Sequence, residues 1–407
     1  MALGQNIYNA LEELGKISAP GKGVTRLYLT EEHKRAIPVL EKMMQDAGLK
    51  THVDAIGNVV GEYTSPSPDA PTLLLGSHQD TVRSGGKYDG ALGVVLPIFC
   101  VKELLQQGEL PCNLRVYAFG QEEAVRYFGL YLASKSIVGT FDPAYLDAVD
   151  QDGITMRDAL ISFGLPGDDF KSCKYEGPAD AYLEVHIEQG PVLEKEGLAV
   201  GIVSGIQALS RCEITIKGVA GHAGTVPMRY RNDPVRAMSH VITEIMEYAE
   251  SKEGLVITVG VVKVSPGSIN VIPAEAFFTV DIRAPKIETV RQGVLDMEAI
   301  VKKACEARPK LSYDYEELWA FEETPCNDWV IDQLAESMER SGQKVFKVFS
   351  GAGHDAQEMK NLTSVGMLFV RCKEGISHNP EESVNAEDIG AAAAVVKDFI
   401  AHFSKKK

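Results

Sequence analysis

The sequence predicts an α/β fold: a domain with a mixed sheet, interrupted by an inserted α+β domain of β-α-β-β-α-β order. Three observations predict it. Helix and strand patterns alternate through the first half of the chain and again after Trp319. The stretch between reads strand, helix, two strands, helix, strand, the order of a ferredoxin-like unit. The chain, at 407 residues, is longer than one ordinary core accommodates. The expected boundaries are 1–208 with 319–407 for the first domain and 209–318 for the insertion.

Asn6 to Ile17 and Thr30 to Ala47 carry helical periodicity, the second stopped by Gly48. Thr51 to Tyr63 reads as two short strands around Ile56-Gly57. Thr72 to Leu75 is an apolar strand bounded by Pro71 and Gly76, followed by an apolar helix from Ala91 to Gln107. Asn113 to Phe119 and Ala181 to Val185 are further strands. In the insertion, Arg211 to Lys217 alternates as a half-buried strand. Asp233 is placed to cap a helix running to Ser251, with Pro234 at its first position. Leu255 to Val264 and Ala274 to Ile282 are β-rich, Glu288 to Ala307 is helical, and Lys310 to Tyr315 closes the unit as a strand. The α/β pattern then resumes with a helix from Asn327, a strand from Lys344 to Phe349, a short helix after Gly353, a strand from Ser364 to Val370 and a helix from Ala386.

A net charge of −16 argues against nucleic acid or an anionic membrane as partner. No apolar run has the length of a bilayer span; Ala91 to Cys100 is short and contains Pro97. The N-terminus lacks a basic-then-apolar leader pattern. The seven cysteines are scattered and form no C-x-x-C pair, which predicts reduced, buried thiols and a cytoplasmic location.

Chemistry concentrates where strands end. The Thr72 strand runs into Gly76-Ser77-His78-Gln79-Asp80, and the glycine-rich Gly85 to Gly90 delivers Asp89 to the head of the next helix. Asn113 to Phe119 runs into Gly120-Gln121-Glu122-Glu123, and Ala181 to Val185 into His186-Ile187-Glu188-Gln189-Gly190. Near the C-terminus stands Ser377-His378-Asn379-Pro380. Imidazoles and carboxylates are the donors that Zn²⁺ and its neighbours accept. His78, Asp89, Glu123, His186 and His378 therefore suit two divalent ions, with one carboxylate bridging. Of the adjacent Glu122 and Glu123, one can ligate while the other serves as general base. Zn, Mn, Co and Ni all accept this donor set.

With Gly218 to Gly224, Asn270, Asp281 to Arg283 and Gly351 to Asp355, these motifs resemble the dinuclear metal-dependent exopeptidase and amidohydrolase family that includes aminoacylases and glutamate-releasing carboxypeptidases. The chain is most similar to the branch of N-carbamoyl-L-amino acid hydrolases, allantoate amidohydrolases and β-ureidopropionases. The resemblance implies a zinc-exopeptidase-like catalytic domain carrying a lid and dimerisation insertion. It implies that Asp89 bridges two ions, that His78 and His186 complete one position, and that Glu123 and His378 complete the other. Asp80 would hold His78, and Glu122 would be the base. Gln189, Asn270, Arg283 and the backbone of Gly351-Ala352-Gly353 would hold the substrate, Arg283 through its carboxylate. His222 would stabilise the oxyanion in the partner subunit of a homodimer. A histidine at 186, rather than a carboxylate, marks the ureido branch. One departure stands out: relatives often carry three consecutive acidic residues followed by Gly at the base motif, whereas here the run is Gln121-Glu122-Glu123-Ala124-Val125-Arg126-Tyr127.

Plainer readings compete at each point. Glu122 and Glu123 could begin a solvated helix, Arg283 could pair with Asp281, and His222 could be a turn residue. Asp355 could cap a helix and His354 support the metal shell. His33, His52, His240 and His402 are read as structural. The expected function is hydrolysis of the ureido C–N bond of small N-carbamoyl-L-amino acids. The alternatives are allantoate or β-ureidopropionate as substrate, an aminoacylase or dipeptidase, and a non-catalytic amino-acid-binding relative.

Overall fold

The Thr72–His78 strand is buried along its whole length, and the first unit of the chain is organised around it. The computed structural model describes residues 2–405. They divide into two compact units, Met1–Ser204 with Cys326–Lys407, and Gly205–Pro325.

In the first unit the sheet is mixed. Four neighbouring strands run parallel, in the spatial order Asn113–Phe119, Thr72–His78, Ala181–Ile187, Ser364–Val370. Antiparallel strands flank them: Val59–Tyr63 and then Lys50–Val53 on one side, Val200–Ile206 on the other. The parallel strands are apolar on both faces because helices cover them. The Ala91–Gln107 helix is apolar around most of its circumference and packs between the sheet and the Ala2–Gly15 and Ala386–His402 helices.

Three local readings are corrected. Gly76 does not end its strand, which continues to His78; a Cβ at Gly76 would sit 2.6 Å from the Tyr117 carbonyl oxygen, so glycine permits close strand approach. The Ala181 strand likewise continues through His186 to Ile187. The strand expected over Lys344 to Phe349 is confined to Lys347–Ser350. The fully buried Arg26, which no sequence pattern marked, donates to the carbonyls of Gln79 (2.8 Å), Leu14 (3.2 Å) and Ile17 (3.1 Å), tying the segment after His78 to the first helix. All seven cysteines are buried and free.

The second unit is a four-stranded antiparallel sheet in the order Ser312–Phe321, Ala208–Lys217, Glu275–Ala284, Val256–Ser265. Its core comes from alternate strand positions, Cys212, Ile214 and Ile216 with Phe278, Val280 and Ile282. The Pro234–Glu250 and Ile287–Glu306 helices pack on that face. Asp233 accepts from the Val235 and Arg236 N–H groups at 3.0 and 3.4 Å, the capping role its place before Pro234 predicts. A separate two-residue ladder pairs Gly221–His222 with Val271–Ile272.

Candidate dinuclear metal site

Ligand-type side chains converge at the carboxyl ends of adjacent parallel strands, where open α/β sheets place their sites. His78 is the last residue of its strand, Glu122 and Glu123 follow the neighbouring strand, and His186 lies near the end of the strand on the other side. Asp89 sits at the head of the Ala91–Gln107 helix, behind Gly90, whose φ is +66°. A Cβ at Gly90 would lie 2.3 Å from the His78 ring, so only glycine lets the loop pass.

Asp89 stands at the centre. Its Oδ1 lies 3.2 Å from His186 Nε2 and 3.5 Å from His78 Nε2, and its Oδ2 lies 3.4 Å from His378 Nε2. His378 Nε2 is also 3.5 Å from Glu123 Oε1. The donors form three overlapping sets: His78, Asp89 and His186; Asp89, Glu123 and His378; and His78, Glu122 and Glu123. The five expected ligands are thus brought together, with one oxygen of Asp89 toward each of two positions.

The donor chemistry fits cations. His78 Nδ1 faces the Asp80 carbonyl oxygen and His186 Nδ1 the Ile187 carbonyl oxygen, both at 2.9 Å. A carbonyl accepts only, so each Nδ1 carries the proton and each Nε2 turns a lone pair inward. Those two lone pairs face each other at 3.5 Å, which a cation between them would satisfy. Asp89 Oδ1 and Glu123 Oε1 are buried without a hydrogen-bond partner. Burial raises the Glu122 carboxyl well above its ordinary range; His78 opposes this, and Glu123, Asp355 and Asp80 add to it. Burial, with Asp89 nearby, pushes Glu123 up to about 7. Burial also opposes ionisation of Asp89, yet the His186, His378 and His78 imidazoles around it outweigh burial and hold it well below the usual carboxylate range. The hydrogen bond to Asp89 lifts His378 to about 9. This is a set of groups that positive charge stabilises.

The remaining site residues fall as follows. Asp80 approaches His78 Nδ1 with Oδ1 at 3.4 Å, but its carboxylate also accepts the backbone N–H groups of Glu122 (3.0 Å) and Glu123 (3.3 Å). Those two residues therefore begin no helix; they lie on an irregular loop, and Glu122 is buried. The divergent run behind them is braced by Arg126, which donates to the Tyr28 and Leu29 carbonyls (2.9 and 2.6 Å) and to Asp150 (3.0 Å). Gln189 donates to Asp89 Oδ2 at 2.8 Å.

The Gly351-Ala352-Gly353 turn does not open a helix. The helix nearby is the single turn Ala356–Met359, and the Ala352 N–H donates to Ser350 Oγ at 3.2 Å. Asp355 makes no side-chain cap; it accepts from Ser134 Oγ at 2.6 Å. His354 is buried, bonded to Ser350 Oγ at 2.8 Å, with its ring edge-on to His186.

In the second unit, His222 and Asn270 meet at the small ladder, where the Ala223 N–H donates to the Asn270 carbonyl at 3.0 Å. Arg283 donates to Asp281 at 2.7 and 3.0 Å, the pairing its spacing also suggested.

Sequence reasoning gave no role to Glu382, Glu184 or Ser377, although Ser377 stands in the motif that carries His378. Glu184 is fully buried and accepts from Ser77 Oγ (3.1 Å), Tyr182 OH (3.2 Å) and the Ala356 N–H (2.9 Å). One signal was available: a glutamate inside an apolar strand, two residues before His186, shares a strand face with that ligand.

Residues 74–402 match the model of peptidase family M20/M25/M40. The chain belongs to this family. It is 37% identical over 401 residues to the N-carbamoyl-L-amino acid amidohydrolase of Geobacillus stearothermophilus, covering 97% of each chain. It is also 37% identical over 432 residues to allantoate deiminase of Arabidopsis thaliana, covering 96% of this chain and 80% of that one. A solved hydantoinase/carbamoylase family amidase from Burkholderia multivorans superposes with a TM-score of 0.91 at 31% identity, over 98% and 97% of the two chains. This M20 family member is an amidohydrolase. Among its described residues no helix is long and apolar enough to cross a membrane.

Proposed function

We propose that this enzyme hydrolyses the ureido C–N bond of small N-carbamoyl-L-amino acids, giving the amino acid, ammonia and carbon dioxide. The observation that carries the reading is the imidazole of His186, not a carboxylate, against Asp89 Oδ1. Relatives that bear the corresponding activity names support it. Allantoate is the second reading, since the plant allantoate deiminases match equally well.

We assign His78, Asp89 and His186 to one divalent ion and Asp89, Glu123 and His378 to the other. The ions, of Zn, Mn, Co or Ni, would polarise the ureido carbonyl and acidify water. Glu122 would take the proton of the attacking water at its carboxylate and return it to the leaving nitrogen. As the C–N bond breaks, ammonia departs and the remaining carbamate loses carbon dioxide, one water being consumed. Asp80 would hold the Glu122 backbone in place through the bond described above. Gln189, Asn270, Arg283 and the Gly351-Ala352-Gly353 backbone are assigned to substrate, with Arg283 on its carboxylate.

We read the inserted unit as a ferredoxin-like lid and dimerisation domain spanning about 209–318, set in a catalytic domain of 1–208 and 319–407. Val256–Ser265 is an edge strand of its sheet, and Val256, Val261, Val262 and Val264 are exposed along it. An apolar edge of this kind favours pairing with a second copy. His222 from that copy would stabilise the oxyanion. A cytoplasmic location and a small-molecule partner complete the reading. The test is initial rates with N-carbamoyl-L-amino acids, allantoate, N-carbamoyl-β-alanine and N-acetyl-amino acids. A clear preference for the first class supports the proposal; preference for allantoate replaces it with the second reading.

A further inference from the structure

The Gly85–Gly90 loop that carries Asp89 has little secondary structure of its own, so something else must hold it. Glu382 does. Its side chain is buried, Oε1 accepts the backbone N–H groups of Tyr88 (2.8 Å) and Asp89 (3.0 Å), and Oε2 lies 3.1 Å from Ser377 Oγ. Ser377 Oγ is in turn 2.6 Å from Asp89 Oδ2. The glutamate thus fixes the main chain of Asp89 directly, and the Ser377 hydroxyl, whose single proton is closest to Asp89 Oδ2, stands between the two carboxylates. A Cβ at Gly86 would lie 2.1 Å from the Glu382 carboxyl group, so the loop leaves room for this side chain alone.

We propose that Glu382 is the positioning residue for Asp89 and that it governs cation affinity at the His378 position; this rests on the dinuclear reading above. Glu382 lies four residues after His378, on the same loop, and therefore joins the segment bearing one ligand of that position to the segment bearing the shared one. The other position has independent support. His78 and His186 sit on paired strands, each with its Nδ1 against a carbonyl oxygen. Loosening Glu382 should then weaken one cation far more than the other. Partners of this outer kind typically contribute 10–100-fold in metal affinity.

The test is titration of the full-length dimetal-stripped enzyme with Co²⁺, following heat and visible absorption, alongside metal analysis of the protein as purified. Wild type should take up two ions per chain. Glu382→Ala should keep one and bind the second roughly tenfold or more weakly. Glu382→Gln should restore the second ion, because an amide oxygen accepts both N–H groups and an amide nitrogen can donate to the Ser377 hydroxyl. Gly86→Ala, whose Cβ would meet the same carboxyl group at 2.1 Å, should reproduce the Ala effect and serves if Glu382→Ala does not fold. Equal affinity for both ions in Glu382→Ala or, failing that variant, in Gly86→Ala overturns the proposal. So does a Gln variant as impaired as the Ala variant. A wild type that takes up a single ion overturns the dinuclear reading itself, and this proposal with it.

Discussion

The carboxylate of Asp80 accepts the backbone N–H of Glu122 at 3.0 Å, so the residue two positions after His78 holds the segment that carries Glu122. The same carboxylate accepts from Glu123 at 3.3 Å and approaches His78 Nδ1 at 3.4 Å. One buried side chain therefore spans the ends of two parallel strands and keeps Glu122 beside His78 and Glu123. If Glu122 is the proton acceptor, Glu122→Gln preserves shape and metal binding but removes the acceptor. Turnover should fall on the order of 10²-fold or more, with metal content unchanged by elemental analysis. Near-normal turnover would mean that another group is the base.

Metal removal makes the second prediction. The donor set contains two imidazole lone pairs and two unpartnered carboxylate oxygens facing one space. Dialysis against a chelator should abolish hydrolysis, and added Zn²⁺, Mn²⁺, Co²⁺ or Ni²⁺ should restore it to different extents. Full activity in protein shown by elemental analysis to be metal-free would end the dinuclear reading.

A third prediction concerns acid stability, away from the metal cluster. His33 is fully buried, and its Nδ1 accepts the Leu29 N–H at 3.0 Å, which requires that nitrogen to be unprotonated. Burial, with Arg26 nearby, pushes its pKa down to about 3. In the unfolded chain the imidazole titrates near its ordinary value of about 6.5. Between those values the unfolded state binds a proton that the folded state excludes, so stability falls as pH drops from about 6.5 toward 3. Urea unfolding in chelator should lose up to ~1.4 kcal/mol per pH unit more in wild type than in His33→Asn, which keeps an acceptor but cannot titrate. Parallel pH profiles for the two proteins would remove His33 from the account.

What was legible in the sequence follows from how each feature is encoded. Strands buried on both faces show as apolar runs, and a polar cluster at the end of such a run stands out, so His78, Glu122 and Glu123 could be read directly. Their neighbour Asp89 was legible because glycines crowd around it. Glu382 was not, since Glu381-Glu382 reads as an ordinary solvated pair; only the return of that loop to the Tyr88 and Asp89 backbone makes one of the two structural. Arg26 was invisible for the same reason: its three carbonyl partners come from two separate segments. Long-range hydrogen bonds of single side chains leave no periodicity behind.

The fourth prediction tests the dimer. Glu122→Gln and His222→Ala are each expected to be inactive. If His222 acts in the partner's site, mixing the two under conditions of subunit exchange should return partial activity, because one of the mixed sites then holds both intact residues. Exchange verified by a labelled subunit, with no recovery, would confine His222 to its own chain or to no role.

The last prediction concerns Arg283. Its guanidinium donates to Asp281 at 2.7 and 3.0 Å, and Asp281 also accepts from Arg211 at 2.8 Å. Burial works against the charge on Asp281, but Arg283 and then Arg211 outweigh it and hold the carboxyl below its ordinary range. Two cations thus share one anion, and the planar fork of Arg283 is held in a fixed orientation by it. A lysine would supply charge without that geometry, so Arg283→Lys should not be conservative. Truncating one partner of a desolvated charge pair costs roughly 2–5 kcal/mol, so Arg283→Ala should lower kcat/KM by some orders of magnitude on a carboxylate substrate. A substrate amide lacking that carboxylate should be poor for wild type yet lose little more on mutation. Equal damage to both substrates would mean that Arg283 serves Asp281 alone, and the carboxylate anchor should then be sought at the Gly351-Ala352-Gly353 turn.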